Sequence, residues 1–248
     1  MKRSKVLERR IDKAIEEKSN LLNNVDRADS LKIIPLESRK NPLVLAERLQ
    51  IKYDSNAIFN PVSFEVNNGD RVALVGKNGA GKSSILKLIL EKSSTGNENI
   101  LQPTGNTNNL ALVEKAEYTG TLKVANDLKI SYISQSTEYL KGNLKEFVKK
   151  YEVEESIFKA MLVKMGFSNS EFDKDINQMS EGQKKKILIA KSISEQANFY
   201  IWDEPLNYID ILTRIQIEEA ILKYKPTLIF VEHDETFIKK ISTKVIEL

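Results

Sequence analysis

The sequence predicts an α/β fold, and three observations carry that prediction. The β-rich run Arg71–Val75 leads through a glycine-rich loop at 76–81 into a helix at about 82–91, a strand–loop–helix order typical of α/β domains. The short apolar runs 198–203 and 227–232 are bounded by breakers and joined by a helical stretch at about 208–223. They read as buried parallel strands of a βαβ unit. The chain has 248 residues, 41% hydrophobic and 29% charged, which suffices for a full core and excludes a disordered polymer.

Along the chain, residues 4–25 read as one charged helix. Leu7, Ile11, Ala14, Ile15, Leu21, Leu22 and Val25 recur near a 3.5-residue spacing, interrupted at Lys18. So narrow a stripe suits one strand of a coiled coil and needs a partner helix. Residues 26–43 form a connector, with Asp26, Asp29, Ser30, Pro35 and Pro42 as breakers. Strands follow at 43–52, 62–66 and 71–75, the last two separated by the turn Asn67-Asn68-Gly69-Asp70. The polar stretch 93–120, with Gly96, Gly105 and several asparagines, reads mostly as loop, and strands resume near 121–124 and 129–134. Residues 142–195 look helical, with Leu144, Phe147 and Val148 on one face and Ile157, Met161 and Met165 on another. Two regions result: 1–42 as a helical arm with its connector, and 43–248 as the folded domain.

Composition narrows the chemistry. Cysteine is absent, which rules out disulfides, thiolate-bound zinc and thiol catalysis. No apolar run approaches the roughly 20 residues of a membrane-spanning helix. The basic start, Met1–Arg10, lacks the apolar stretch of a secretion signal. The net charge is +3, and residues 1–27 hold all of that excess, with eight basic and five acidic side chains. Clustered there, the excess reads on charge alone as a solvated helix face or as a surface for a polyanionic partner.

The sharpest motif is Gly76-Lys77-Asn78-Gly79-Ala80-Gly81-Lys82-Ser83, set between a strand and a helix as a phosphate-binding loop requires. Its glycines let backbone N–H groups turn inward onto phosphate oxygens, and the helix N-terminus adds a favourable dipole. Lys82 can reach β- and γ-phosphates, and the Ser83 hydroxyl can ligate Mg²⁺. The second motif is Phe199-Tyr200-Ile201-Trp202-Asp203-Glu204, a buried strand ending in adjacent carboxylates. Asp203 suits the surroundings of a bound metal ion, and Glu204 can polarise a water for attack on a γ-phosphate. The chain's one histidine, His233 in Phe230-Val231-Glu232-His233-Asp234, follows another buried strand, where ligands of open α/β sheets gather.

Met179-Ser180-Glu181-Gly182-Gln183-Lys184-Lys185 resembles the signature motif of ATP-binding-cassette ATPases, followed in family order by a helix (Lys186–Glu195) and the Asp203-Glu204 strand. Gln135, closing the strand Ile130–Ser134, matches the family's Q-loop glutamine, a Mg²⁺ and water contact. Tyr53 matches the aromatic residue that stacks on adenine, and Asp210 the aspartate of the D-loop. The resemblance covers 43–248 and implies a P-loop NTPase cassette with a mixed sheet core, a β-rich N-terminal subdomain and a helical signature subdomain. It implies ATP and Mg²⁺ as ligands. Tyr53, residues 76–83 and Ser84 would hold the nucleotide; Ser83, Gln135 and Asp203 the metal; Glu204, His233, Gln135 and Lys82 the catalysis. Ser180, Gly182 and Gln183 would contact a nucleotide held by a different cassette, so hydrolysis would need a partner cassette.

The stretch Asp203-Glu204-Pro205-Leu206-Asn207-Tyr208-Ile209-Asp210 narrows the resemblance to the ABC-F class, closest to its antibiotic-resistance branch. Those proteins carry two cassettes and no membrane domain, and they bind the ribosome. The segment 4–25 resembles the descending arm of their interdomain hairpin. This implies a cytoplasmic, ribosome-associated factor that meets rRNA. The alternative is the ATP-binding subunit of an ABC transporter, though transporter subunits usually begin near the adenine-stacking strand. Three departures stand out: Glu181 replaces the commoner second glycine of the signature, Ser84 the commoner threonine, and Asp54 follows Tyr53 where glycine is usual. The chain holds no second phosphate loop.

Overall fold

A computed structural model describes residues 30–53, 56–94 and 116–248. The helix expected at 4–25 and residues 95–115 of the polar stretch lie outside the described residues. The compact unit runs from Leu31 to Leu248.

Two sheets build it. β1 (Val44–Tyr53) pairs antiparallel with β2 (Asn56–Ala57), β3 (Val62–Val66) and β5 (Ala116–Val124). The second sheet contains β4 (Arg71–Val75), β6 (Ile130–Ile133), β7 (Phe199–Asp203), β8 (Leu228–Val231) and β9 (Lys244–Glu247). Its order is β6-β7-β8-β4-β9 and every pairing is parallel. The expected α/β class with both pairing senses is therefore present, and the two senses are segregated into separate sheets. Helix α1 (Lys82–Ser94) follows β4. Between β6 and β7 lie α2 (Leu144–Lys150), α3 (Glu155–Lys164), two 3₁₀ turns and α4 (Glu181–Ser194). Then α5 (Ile211–Tyr224) joins β7 to β8, and α6 (Glu235–Ile241) joins β8 to β9.

The alternation of side chains along the parallel strands divides the core in two. Phe199 and Ile201 of β7, with Ile229 and Val231 of β8, face a cluster shared with α1 and the antiparallel sheet. Tyr200, Trp202, Leu228 and Phe230 face the opposite cluster, built with α2–α6. A sheet buried on both faces explains why β7 and β8 read as unbroken apolar runs.

Several boundaries differ from the sequence reading. β5 begins at Ala116, inside the stretch read as loop, because Glu117–Thr119 is exposed yet pairs with β1. The helical region breaks where Glu152 and Gly166 adopt left-handed backbone, with φ of +50° and +88°. α4 starts at Glu181, five positions before the expected Lys186: Ser180 caps it, accepting from Gln183 N at 3.2 Å while Gln183 Oε1 accepts from Ser180 N at 2.9 Å. Within the connector region, Leu31 and Ile33 are fully buried in the cluster that holds Trp202. Leu36 N donates to Ala197 O at 2.8 Å, and Asn198 Nδ2 to Glu37 O at 3.1 Å. Leu31→Ala is therefore expected to cost about 2–5 kcal/mol in urea denaturation. A change below about 0.5 kcal/mol, the range of surface substitutions, would show that this segment is not part of the core.

Candidate functional site

Four loops leave the parallel sheet at one edge, and together they form the site. The loop after β4 wraps the start of α1. Gly81 has φ of +87°, and a Cβ there would lie 2.5 Å from Ile58 Cδ1, so only glycine fits. Lys82 is buried, and its Nζ donates to Gly76 O at 2.8 Å and Lys77 O at 2.9 Å. The ammonium is thus held inside the ring of loop backbone. Ser83 Oγ donates to Asp203 Oδ1 at 3.0 Å, tying the loop to the end of β7. Burial pushes the Asp203 carboxyl above its ordinary value, partly offset by that bond.

Glu204, one residue past β7, has left-handed backbone with φ of +50°. A non-glycine residue in that region is strained, and such strain concentrates at functional sites. Its N donates to Val231 O at 3.0 Å, which fixes it against β8. Three side chains converge on its carboxylate. Gln135 Nε2 donates to Oε2 at 3.0 Å, Asn207 Nδ2 donates to the same oxygen at 2.7 Å, and His233 Nε2 lies 3.3 Å from Oε1. The buried Glu232 carboxylate accepts from Leu206 N at 2.8 Å and His233 N at 3.3 Å, holding the two strand-end loops together. Burial raises the Glu232 carboxyl.

A cavity of about 640 Å³ opens over this edge. It is lined by the loop and the start of α1 (Asn78, Gly79 and Gly81 to Ser84), by Tyr53 and Ile58, and by the strand-end residues Gln135, Glu204 and His233. Tyr53 Oη lies 3.1 Å from Ser84 Oγ, placing the ring beside the loop. The donor set fits a hard cation shared with phosphate: a hydroxyl, a carboxylate and an amide are oxygen ligands of the kind Mg²⁺ prefers. Among the described residues no cluster of three or more His, Asp or Glu could hold a metal alone. The remaining ligands would come from the nucleotide and water.

Ser180, Gly182 and Gln183 lie at the N-terminus of α4 and do not line the cavity. A Cβ on Gly182 would come within 2.6 Å of Tyr208 O, so glycine lets the loop after β7 pass against the signature turn. Glu181, the departure from the family pattern, turns aside: Thr137 Oγ1 donates to its Oε2, and Lys184 Nζ donates to Oε1 at 2.9 Å. Three residues carried no expected role in the sequence reading. Asn207 and Lys185 lay within motifs already quoted, and Ile58 sat between the strands expected at 43–52 and 62–66, in a bend just past β2.

Asp210 caps α5, accepting from Thr213 N at 2.9 Å, and pairs with Lys186 Nζ at 2.7 Å. Burial alone would raise its carboxyl, but Lys186 and the Thr213 bonds outweigh it and hold the group at about 2. A depressed carboxylate stabilises the folded state above its unfolded value and loses that contribution as pH falls through the folded one. Asp210→Asn keeps the cap and removes the charge. The stability gap between wild type and this variant is expected to shrink as pH falls from 3.8 toward about 2. A gap independent of pH across that window in urea titrations would refute the pairing.

The family described as "ABC transporter" matches residues 59–207. ABC transporter F family member 2 of Arabidopsis thaliana is 32% identical over 208 residues, covering 83% of this chain and 28% of that protein. ATP-binding protein Uup of Buchnera aphidicola is 26% identical over 218 residues, covering 84% and 33%. The solved structure of RNase-L Inhibitor superposes with a TM-score of 0.61 at 26% identity, covering 85% of this chain and 38% of that one. The chain spans about a third of the length of these relatives. On the family match and the shared fold, the chain belongs to the ABC transporter family as an ATP-binding cassette.

Proposed function

We propose that this chain binds ATP–Mg²⁺ in the cavity above the phosphate loop, and that Glu204 polarises the water that attacks the γ-phosphate. The family binds ATP with Mg²⁺ and hydrolyses it. The convergence of Gln135, Asn207 and His233 on one carboxylate that lines the cavity carries the assignment to Glu204. A general base must be fixed within reach of the water it activates. Lys82 and the loop amides neutralise phosphate charge, Ser83 with Asp203 and Gln135 positions the metal, and Tyr53 stacks on adenine. Ser180, Gly182 and Gln183 stand clear of this cavity, so they serve a nucleotide on a second cassette. A closed pair of cassettes would exclude water and bring α4's N-terminal dipole to the phosphate.

We further place the chain in the ABC-F class, as a ribosome-associated factor whose nucleotide state gates binding, in the antibiotic-resistance branch. Similarity to an F family member and to Uup supports the class, and the Asp203–Asp210 stretch supports the branch. The basic excess of residues 1–27 supports an rRNA partner.

Glu204→Gln is expected to retain ATP binding while lowering turnover roughly 100-fold or more, the scale of a lost general base. Turnover at the wild-type rate would show that Glu204 is not the base. Lys82→Ala is expected to weaken ATP binding by about 2 kcal/mol through loss of a charge-assisted phosphate contact; isothermal titration with unchanged affinity would refute its role. Ribosome co-sedimentation of the Glu204→Gln chain with ATP, weakening steeply with salt, would support the ABC-F reading over a transporter subunit. Absence of co-sedimentation at low salt would count against it.

A further inference from the structure

We propose that Lys185 is a positioning residue of the hydrolytic centre: its ammonium pins the main-chain carbonyls of Ser134 and Glu204 and thereby aligns the Gln135 amide with the Glu204 carboxylate. The inference rests on the roles of Gln135 and Glu204 proposed above. Lys185 closes the signature stretch in the second turn of α4, with only 2% of its surface exposed. A lysine so deeply buried needs partners for its hydrogens. Its Nζ donates to Ser134 O and to Glu204 O, both at 3.1 Å. Ser134 immediately precedes Gln135, so one point charge holds the two backbone sites from which the interacting side chains depart.

Strand register sets where the two loops begin, and Glu204 N is tied to Val231 O, but the Ser134 and Glu204 carbonyls lie outside the strands and are met by Lys185 Nζ. Gln135 lies past the end of β6, and Glu204 lies past the end of β7 in strained backbone. The 3.0 Å contact between their side chains therefore depends on whatever fixes two loop carbonyls. Lysine suits the task because its three N–H groups radiate from one atom and can serve acceptors on different loops. A second tie from the same helix reinforces it, since Glu181 accepts from Thr137 Oγ1 just beyond Gln135. The signature helix thus grips the Q-loop segment at two points, and any displacement of α4 is passed to Gln135 and Glu204 together.

Lys185→Met keeps the volume and removes the donors. In the nucleotide-free chain, the Gln135 side-chain amide of wild type is expected to show slowed hydrogen exchange by ¹⁵N NMR, and Lys185→Met to lose that protection. In ATPase assays the variant is expected to lose about tenfold or more in kcat while its ATP affinity, measured with a fluorescent analogue, stays within about threefold of wild type. A global packing defect would instead lower both together. Because the chain lacks cysteine, Lys185→Cys offers a rescue: alkylation in denaturant with 2-bromoethylamine rebuilds an ammonium at this site after refolding. The aminoethylated protein is expected to regain Gln135 protection and turnover, and a neutral carbamidomethyl adduct to regain neither. Wild-type Gln135 protection in Lys185→Met would overturn the proposal whether or not the chain turns over ATP, and equal behaviour of the two adducts would overturn it as well. Absence of ATPase activity in wild type would count against the functional reading alone, leaving the NMR comparison to decide the role of Lys185.

Discussion

Parallel pairing sets Asp203 of β7 level with Val231 of β8, and Val231 in turn level with Leu74 of β4. One row further back, Ile133 of β6 is level with Trp202. The backbone hydrogen bonds that fix this register also fix where each strand stops, and so where Gln135, Glu204, His233 and the phosphate loop emerge. A one-residue slip of any strand would turn its core residues to the wrong face. Burial on both faces of the sheet makes that slip costly. The site is therefore assembled by the hydrophobic core beneath it, through side chains that touch no ligand.

Above the core, polar contacts complete the alignment. Ser83 to Asp203, Glu232 to the 206 and 233 amides, and Lys185 to the 134 and 204 carbonyls each join two different loops. All bury charge or partial charge, and each is stable only while its partner is present. Burial acts on the three charged groups in the direction expected of it, raising the Asp203 and Glu232 carboxyls and lowering the Lys185 ammonium. Asp203, Glu204 and Glu232 offset part of the burial of the Lys185 ammonium. The centre is held by a mutually dependent set of groups, which explains why it is carried on loops without losing its geometry.

Much of this was legible in the sequence, for identifiable reasons. The strand at 71–75, the glycine loop and β7 and β8 announce themselves by apolar runs and breakers, and the chemistry-bearing residues sit at their ends. The polar half of β5 was hidden because an exposed edge carries no apolar alternation. The start of α4 was hidden because Ser180-Glu181-Gly182 looks like a loop until the capping box is seen. The final helix and strand, α6 and β9, passed unread because each is short. Lys185 was invisible for a deeper reason: a lysine's role depends on which carbonyls surround it in space, and no spacing rule reports that. Glu181 shows the reverse case, where a departure from the family pattern acquires a partner in Thr137 that sequence alone did not supply.

We propose that this chain holds the phosphate-binding half of one site and the signature half of another. Single-turnover hydrolysis of ATP, followed as the protein is serially diluted, tests it directly. The rate per molecule is predicted to fall with dilution, and to recover when a chain carrying Lys82→Ala, unable to hold its own nucleotide but intact at Ser180, Gly182 and Gln183, is added in excess. A rate per molecule that stays constant through dilution, unaffected by the added chain, would contradict the claim.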